Sequence, residues 1–288
     1  MNKDITMVIG PTAIGKTKKA IEIAQKNGGE IISADAFQVY KGMNIGTAKP
    51  TLAEQQQAVH HLIDIKTIEE SYSAAEFKKN TDTLIAKLRA QNKPIIICGG
   101  TGLYVKSVLY NFNFPTPTHN QNYRETLEKL AKTEGPKALH QKLNIIDPQV
   151  AKTIEYQNVR RVIRALETYH QTGQKPSDVR TQTPTIRNDC HVIGIRSERE
   201  TVINRIHNRV DIMFKDGLIE EVEGLIKQAS SQSLQAFEAL GYKETIAYLN
   251  ASITKEDCIE KIKIKTRQFS KRQMTWFKKL ETVEWIDV

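Results

Sequence analysis

The chain has 288 residues, 39% hydrophobic and 26% charged, which describes a folded globular protein and excludes a disordered tail or a fibre. Its apolar runs are far shorter than the roughly twenty residues of a bilayer span, no leader-like apolar stretch opens the sequence, and three widely spaced cysteines (Cys98, Cys190, Cys258) fit a reducing cytoplasm. Forty-two basic against thirty-three acidic residues leave a net charge of +9, the sign that attracts polyanions.

From the N-terminus, Thr6-Met7-Val8-Ile9 predicts a strand, Gly10 to Gly15 a loop, and Lys16 to Lys26 a helix with Ala20, Ile21, Ile23 and Ala24 at helical spacing. Gly28-Gly29 closes that helix. Glu30-Ile31-Ile32-Ser33 predicts a second strand with Asp35 just past its end, and Leu62-Ile63-Asp64-Ile65 a third. A helix from about Ser73 to Gln91 opens on a capping box, Ser73 with Glu76, and turns Phe77, Leu84, Ile85 and Leu88 inward. Pro94 to Cys98 is an uninterrupted apolar strand stopped by Gly99-Gly100, the kind buried on both faces of a parallel sheet. Pro/Thr-rich joints follow at 114–118 and 173–185. Between them Tyr123 to Lys132, Pro136 to Leu143 and Val159 to Gln171 are all helical in pattern. His191 to Ile195 predicts one more strand, and helix is predicted from there to the end.

The last segment carries much of the charge. Between Lys261 and Lys279 stand eight basic residues and no acidic one. Ile262, Phe269 and Trp276 repeat every seven residues and predict a core stripe, leaving Lys263, Arg267, Lys271 and Lys278 on another face. Such a face suits a phosphate backbone, and it also suits plain solvation.

Gly10-Pro11-Thr12-Ala13-Ile14-Gly15-Lys16-Thr17 matches G-x-x-x-x-G-K-[ST] between a strand and a helix. Glycines let successive N–H groups point at phosphate oxygens, the helix N-terminus adds its positive end, Lys16 neutralises charge, and the Thr17 hydroxyl can hold Mg2+. The fold class expected is therefore α/β: a P-loop NTPase-like parallel-sheet core with a helical insertion domain. The first part of the core spans 1–115, the insertion 116–188, and the second part of the core 189–288. An ATP-using enzyme usually has a second strand ending in a carboxylate near the metal. Here the central strand ends in Cys98-Gly99-Gly100-Thr101, and Asp64 is the nearest substitute. The bound anion then reads as a leaving group and not a fuel. Asp35 is placed to accept a proton from a nucleophile, and equally placed to cap a turn.

Seven blocks taken together resemble the tRNA isopentenyltransferase family, the bacterial tRNA dimethylallyltransferases. They are 10–17, Ile32-Ser33-Ala34-Asp35 with Gln38-Val39-Tyr40, Gly46 to Pro50, Gly99 to Tyr104, Arg161 to Glu167, Gly241 to Glu244, and Thr266-Arg267-Gln268 with Lys271 to Trp276. The likeness runs in order over nearly the whole chain. It implies transfer of a dimethylallyl group from dimethylallyl diphosphate to N6 of the adenosine 3′-adjacent to the anticodon of tRNA, by a monomer with Mg2+ as cofactor. The resemblance assigns catalysis to Asp35 as base, with Lys16, Thr17 and Thr101; diphosphate binding to Gly10, Pro11, Thr12, Ala13, Ile14, Gly15, Lys16 and Thr17; and the metal to Thr17. For the tRNA anticodon stem-loop it implies Asp35, Ala36, Phe37, Gln38, Thr101, Arg124, Arg160, Arg161, Val162, Ile163, Arg164, Gly241, Tyr242, Lys243, Lys271, Arg272, Gln273 and Lys278. Three positions depart from the family pattern: Ala36 replaces a serine, and Gln157-Asn158 replaces Asn-Asp.

Other residues read as structural: the His60-His61 pair, Cys98 as a small buried hydrophobe, Tyr104 and Trp276 as core. Phe37 or Tyr40 are candidates to line the prenyl pocket. Two rivals differ in kind. A phosphotransferase using ATP on a small acceptor explains the phosphate loop and Asp35, but not the basic C-terminal helix. A non-catalytic RNA-binding NTP switch calls for a base-reading motif such as N-K-x-D, which the sequence lacks.

Overall fold

The computed structural model describes residues 4–112, 114, 121–180 and 185–288; the joint residues 115–118 and 183–184 lie outside them. In chain order the elements are β1 (Ile5–Ile9), α1 (Lys16–Asn27), β2 (Glu30–Ser33), α2 (Leu52–Gln57), β3 (His60–His61), α3 (Ala74–Ala90), β4 (Ile95–Gly99) and α4 (Gly102–Leu109). The helices α5 (Gln121–Thr133), α6 (Gly135–Ile146), α7 (Pro148–Ala151), α8 (Val159–Thr172) and α9 (Pro176–Arg180) follow. Then come β5 (Cys190–Arg196), α10 (Arg199–Lys215), α11 (Leu218–Gln228), α12 (Tyr242–Leu249), α13 (Lys255–Phe277) and β6 (Val283–Asp287).

The six strands form one parallel sheet in the order β3-β2-β4-β1-β5-β6. Ile5 of β1 lies opposite Ile95 on one side and Cys190 on the other. From β1 the chain crosses to β2 and the edge strand β3, returns to β4 beside β1, and then adds β5 and β6 on the other side. The strand ends beside β1 therefore form the crevice where such sheets hold ligands. Both faces of the central strands are buried. Ile5, Met7 and Ile97 face one cluster, while Val8, Ile31 and Ile96 face another with Ala20, Ile21 and Ala24 of α1. Covering on both faces is why these strands read as unbroken apolar runs. The α3 capping box forms as its spacing predicts: Glu76 N–H donates to Ser73 Oγ, and Ser73 N–H donates to the Glu76 carboxylate.

Three expectations are corrected. The run Leu62 to Ile65 is not a strand; the edge strand is His60–His61, and Leu62 and Asp64 take φ of +61° and +53°, a left-handed geometry that no strand uses. The C-terminus is not helical to the end, because β6 adds a strand beside β5 and lays Val283 and Trp285 over Gly194. The buried stripe of α13 is Cys258, Ile262, Thr266, Ser270, Gln273 and Phe277. Phe269 is only half-buried and Trp276 is 39% exposed. Ile262 is buried as the spacing predicts, but between it and the buried Phe277 the face is made by Thr266, Ser270 and Gln273, polar side chains that let the helix approach backbone closely.

The chain divides into two compact units, one of Met1–Phe112 with Ile186–Val288, the other of Asn113–Thr185. Within the second unit, Leu127, Leu139, Leu143, Val162, Ile163 and Leu166 form a core of their own. Glu167 is buried there and is neutralised by Arg124 at 3.2 Å and Arg164 at 3.6 Å. Asp147 caps α7 through Val150 N–H and also accepts from Ser177 N–H. Among the described residues no helix is long and apolar enough to cross a membrane.

Candidate active site

A loop between β1 and α1 must reverse the chain within six residues, and Ala13 and Gly15 do so at φ of +62° and +96°. Glycine carries the wider value without strain; the alanine costs about 1 kcal/mol. The Lys16 ammonium folds back to donate to the Pro11 carbonyl at 2.6 Å. Burial lowers its pKa to about 8, so it stays mostly protonated at neutral pH. Thr17 Oγ1 lines the same cavity and makes no hydrogen bond among the described residues.

The loop is braced from the far end of the sequence. Gln273 of α13 accepts from Thr12 N–H at 2.8 Å and donates to the Gly100 carbonyl at 3.0 Å. A Cβ on Gly100 would stand 2.2 Å from that amide nitrogen, so only glycine leaves room for the brace. Arg209 of α10 donates to Thr12 Oγ1 at 3.1 Å and reaches the same cavity. Burial lowers the Arg209 pKa, while the charge of Asp35 opposes that shift.

Asp35 follows β2. Its Oδ1 accepts from Phe37 N–H at 2.9 Å and Gln38 N–H at 3.3 Å, and no hydrogen bond to Oδ2 is found among the described residues. Of the two roles left open by the sequence, the turn cap is formed by one oxygen, while the other oxygen is uncommitted. Burial raises the Asp35 pKa; the two turn amides, Lys16 and Arg209 oppose it. A carboxylate that is half-buried, held by its own turn and balanced by two cations is suited to receive a proton. Thr101 Oγ1 accepts from Ala36 N–H at 3.1 Å, joining the start of α4 to the Asp35 turn.

One cavity of about 770 Å³ is lined by Thr12 to Thr17, Asp35, Arg209 and Gln273, with Ile45, Ile212, Met213 and Phe269 as apolar wall; Gly10, Pro11 and Thr101 are not among its lining residues. Phe37 and Tyr40 are not among its lining residues; Tyr40 is fully buried in the core. Cys98 lines the cavity instead of filling the core, and burial pushes its thiol up to about 11. Asp64 also faces the cavity, but its Oδ1 accepts from Lys49 Nζ at 2.6 Å.

The expected RNA-facing residues separate into two groups. Arg160, Arg161, Arg164, Lys243, Lys271, Arg272 and Lys278 are exposed. Val162, Ile163, Gly241 and Tyr242 are buried and pack in the framework behind such a surface, while Gln273 is buried but lines the cavity. Arg124 is committed to Glu128 and Glu167, and Gln38 to Ser33 and the carbonyls of Thr47 and Ala48. Lys263 pairs with Asp211 at 2.7 Å and Lys265 with Glu244 at 2.6 Å, so the free charge of α13 gathers in its last turns. There Lys271, Lys278 and Arg199 rim a groove of about 530 Å³ that has no acidic lining residue. Asn158, at a position that departs from the family pattern, caps α8 by accepting from Arg161 N–H. His61 pairs with Glu30 at 2.6 Å on the edge strand, and Tyr104 stacks on Phe77, both structural as read. Arg209 escaped the sequence reading because an arginine within a mixed helix, far along the chain from the phosphate loop, carries no spacing signal.

A glycine loop at the end of the central strand of a parallel sheet, backed by a lysine, an arginine and a helix N-terminus, defines an α/β protein of the P-loop type. The chain belongs to the IPP transferase family, whose sequence profile matches residues 38–280. It is 44% identical over 285 residues to a tRNA dimethylallyltransferase of Bacillus cereus, covering 99% of this chain and 90% of the relative. One from Bacillus pumilus is also 44% identical, over 287 residues, with 99% and 89% covered. The crystal structure of a tRNA isopentenylpyrophosphate transferase from Bacillus halodurans superposes with a TM-score of 0.73 at 40% identity, over 99% of this chain and 90% of that one. A eukaryotic dimethylallyltransferase acting on tRNA superposes with a TM-score of 0.86 at 29% identity, over 98% of this chain and 73% of that one.

Proposed function

We propose that the chain transfers the dimethylallyl group of dimethylallyl diphosphate to N6 of the adenosine 3′-adjacent to the anticodon in tRNA. The observation that carries this reading, together with family membership, is that Asp35 opens onto the same cavity as the phosphate loop. A cationic diphosphate cradle thus shares one enclosure with a base and an apolar wall.

In this reading Lys16, Arg209 and the first-turn amides of α1 hold the diphosphate. As the C1–oxygen bond of the donor breaks, these fixed positive groups stabilise the departing charge more than the ground state. The N6–C1 bond forms, the N6 proton passes to Asp35, and diphosphate leaves. The adenine lone pair is delocalised into its ring, so a base in place at the moment of bond formation matters. The purine must leave the anticodon stack to reach the cavity. Thr101 accepts from Ala36 N–H and keeps its own hydroxyl proton to donate to that base. Mg2+ fits here through Thr17 Oγ1, which lines the cavity with no partner of its own among the described residues; no cluster of three or more His, Cys, Asp or Glu side chains is found among them to hold a metal. A hard cation that keeps several waters and takes its other oxygens from a diphosphate needs little more, and when bound it supplies further neutralisation of the leaving group.

The tRNA is held by exposed cations: Lys271, Arg272 and Lys278 on α13, Lys243 on α12, and Arg160, Arg161 and Arg164 on α8 of the helical unit. The insertion and the second core segment thus serve as binding surfaces, while the first core segment, joined by Arg209 of the second, carries the chemistry. Nucleoside analysis of tRNA incubated with the protein, Mg2+ and dimethylallyl diphosphate tests the whole reading. N6-isopentenyladenosine beside the anticodon is expected, with ATP untouched. Equal product on AMP would reassign the acceptor, and ATP turnover without prenylation would reassign the reaction.

A further inference from the structure

One wall of the cavity, Asn44 to Pro50, consists of turns with no helix or strand to hold them. Besides Gln38, which donates to the Thr47 and Ala48 carbonyls, two charged side chains hold them. Lys49 is buried and donates to the Tyr40 carbonyl at 2.7 Å, Asn44 Oδ1 at 2.9 Å and Asp64 Oδ1 at 2.6 Å. The second is Glu221, in the first turn of α11. Asn44 N–H and Ile45 N–H donate to its Oε2, both at 2.9 Å, and Gly46 N–H donates to Oε1 at 3.3 Å. The Tyr242 hydroxyl donates to the same Oε1 at 2.6 Å. Three successive amides converging on one anion form a nest, and bonds to an ionised acceptor are stronger than neutral ones. The Tyr242 ring lies flat against this turn: a Cβ on Gly46 would stand 2.4 Å from its Cε2.

Glu221 does not line the cavity, whereas Ile45, Thr47, Ala48 and Lys49 do. Nor does α11 need the carboxylate to pack, since Leu218, Val222 and Leu225 already anchor it in the core. We propose that Glu221 is a positioning residue that fixes the Asn44–Pro50 wall and thereby sets affinity for the prenyl donor without touching it. Through Tyr242 it also ties that wall to the segment bearing Lys243. The proposal rests on the reading of the cavity as the donor site.

Glu221→Gln keeps the volume but turns one of the two acceptors into an NH2 group that faces backbone N–H donors. The expected result is a KM for dimethylallyl diphosphate raised about tenfold, with the KM for tRNA changed less than about twofold. Amide hydrogen exchange at 44–46 should quicken by a similar factor while the central strands keep their protection. Tyr242→Phe, which removes one bond of four, should show the same pattern at about threefold and serves if the glutamine variant fails to fold. A residue that merely supports the fold would lower kcat, or raise both KM values alike; either result overturns the proposal, as does unchanged exchange at 44–46. The exchange measurement needs no turnover. A wild-type protein that fails to transfer the prenyl group sinks the functional reading alone, and exchange still decides the latch.

Discussion

Asp35 divides its two oxygens between structure and chemistry, and that division fixes what its substitution should do. Asp35→Asn retains an oxygen for the Phe37 and Gln38 amides but cannot take a proton. Turnover should fall about 10²- to 10⁴-fold while tRNA affinity, measured by filter binding, stays within about twofold. An active asparagine variant would remove Asp35 from the role of base. The pH profile of kcat/KM carries a second test. Asp35 must be ionised, and burial raises its pKa, so the acidic limb should lie above the ordinary carboxylate range. Lys16 must be charged, and burial lowers it to about 8, so the rate should fall as pH rises through that value. In kcat the alkaline limb should move upward, because bound diphosphate restores the lysine proton. A flat profile between pH 7 and 9 would show that the Lys16 charge is not used. The phosphate loop, Lys16, Thr17 and the position of Asp35 were legible in the sequence because they sit at fixed short spacings that backbone geometry imposes. Arg209 and Glu221 were not, because each reaches its partners from a distant element and no local pattern marks it.

At the scale of the element, α13 shows how one helix carries two jobs on two faces. Its buried face inserts Gln273 between Thr12 and Gly100, and its last turns offer Lys271 and Lys278 to solvent. The sequence revealed the density of charge but not its distribution, since ion pairing with Asp211 and Glu244 depends on which helices pack beside it. Lys271→Ala should therefore weaken tRNA binding and reduce the slope of log affinity against log salt by nearly one unit. Lys263→Ala, whose charge is already answered by Asp211, should leave that slope unchanged. Equal slopes for the two variants would return the helix to a solvated role. The heptad of Ile262, Phe269 and Trp276 misled because spacing identifies a stripe only when the largest side chains define it. Here close approach to a glycine turn selects Ser270 and Gln273, and Trp276 remains partly exposed beside Gly102, with Lys106 5.2 Å above its ring.

At the scale of the whole molecule, the sheet gathers groups as far apart in the chain as Thr12 and Gln273 at the ends of its central strands. β6 is the outermost strand on one side and covers β5 through the pairings from Val192 with Val283 to Arg196 with Asp287. Truncation after Leu280 should lower stability by about 2–4 kcal/mol, read as a shift in urea midpoint; an unchanged midpoint would show that β6 is dispensable to the core. The sequence alone determined the strand–loop–helix phosphate motif, the buried parallel strands, the helical stretch between the two Pro/Thr joints and the basic C-terminus, because each follows from local spacing or composition. Only the tertiary structure decided that Arg209 and Gln273 reach the cavity, that Glu221 holds one of its walls from behind, that Lys263 and Lys265 are neutralised, and that the last residues form a strand. Those outcomes are set by which surfaces meet when the sheet closes over its crevice, and such meetings leave no periodic trace along the chain.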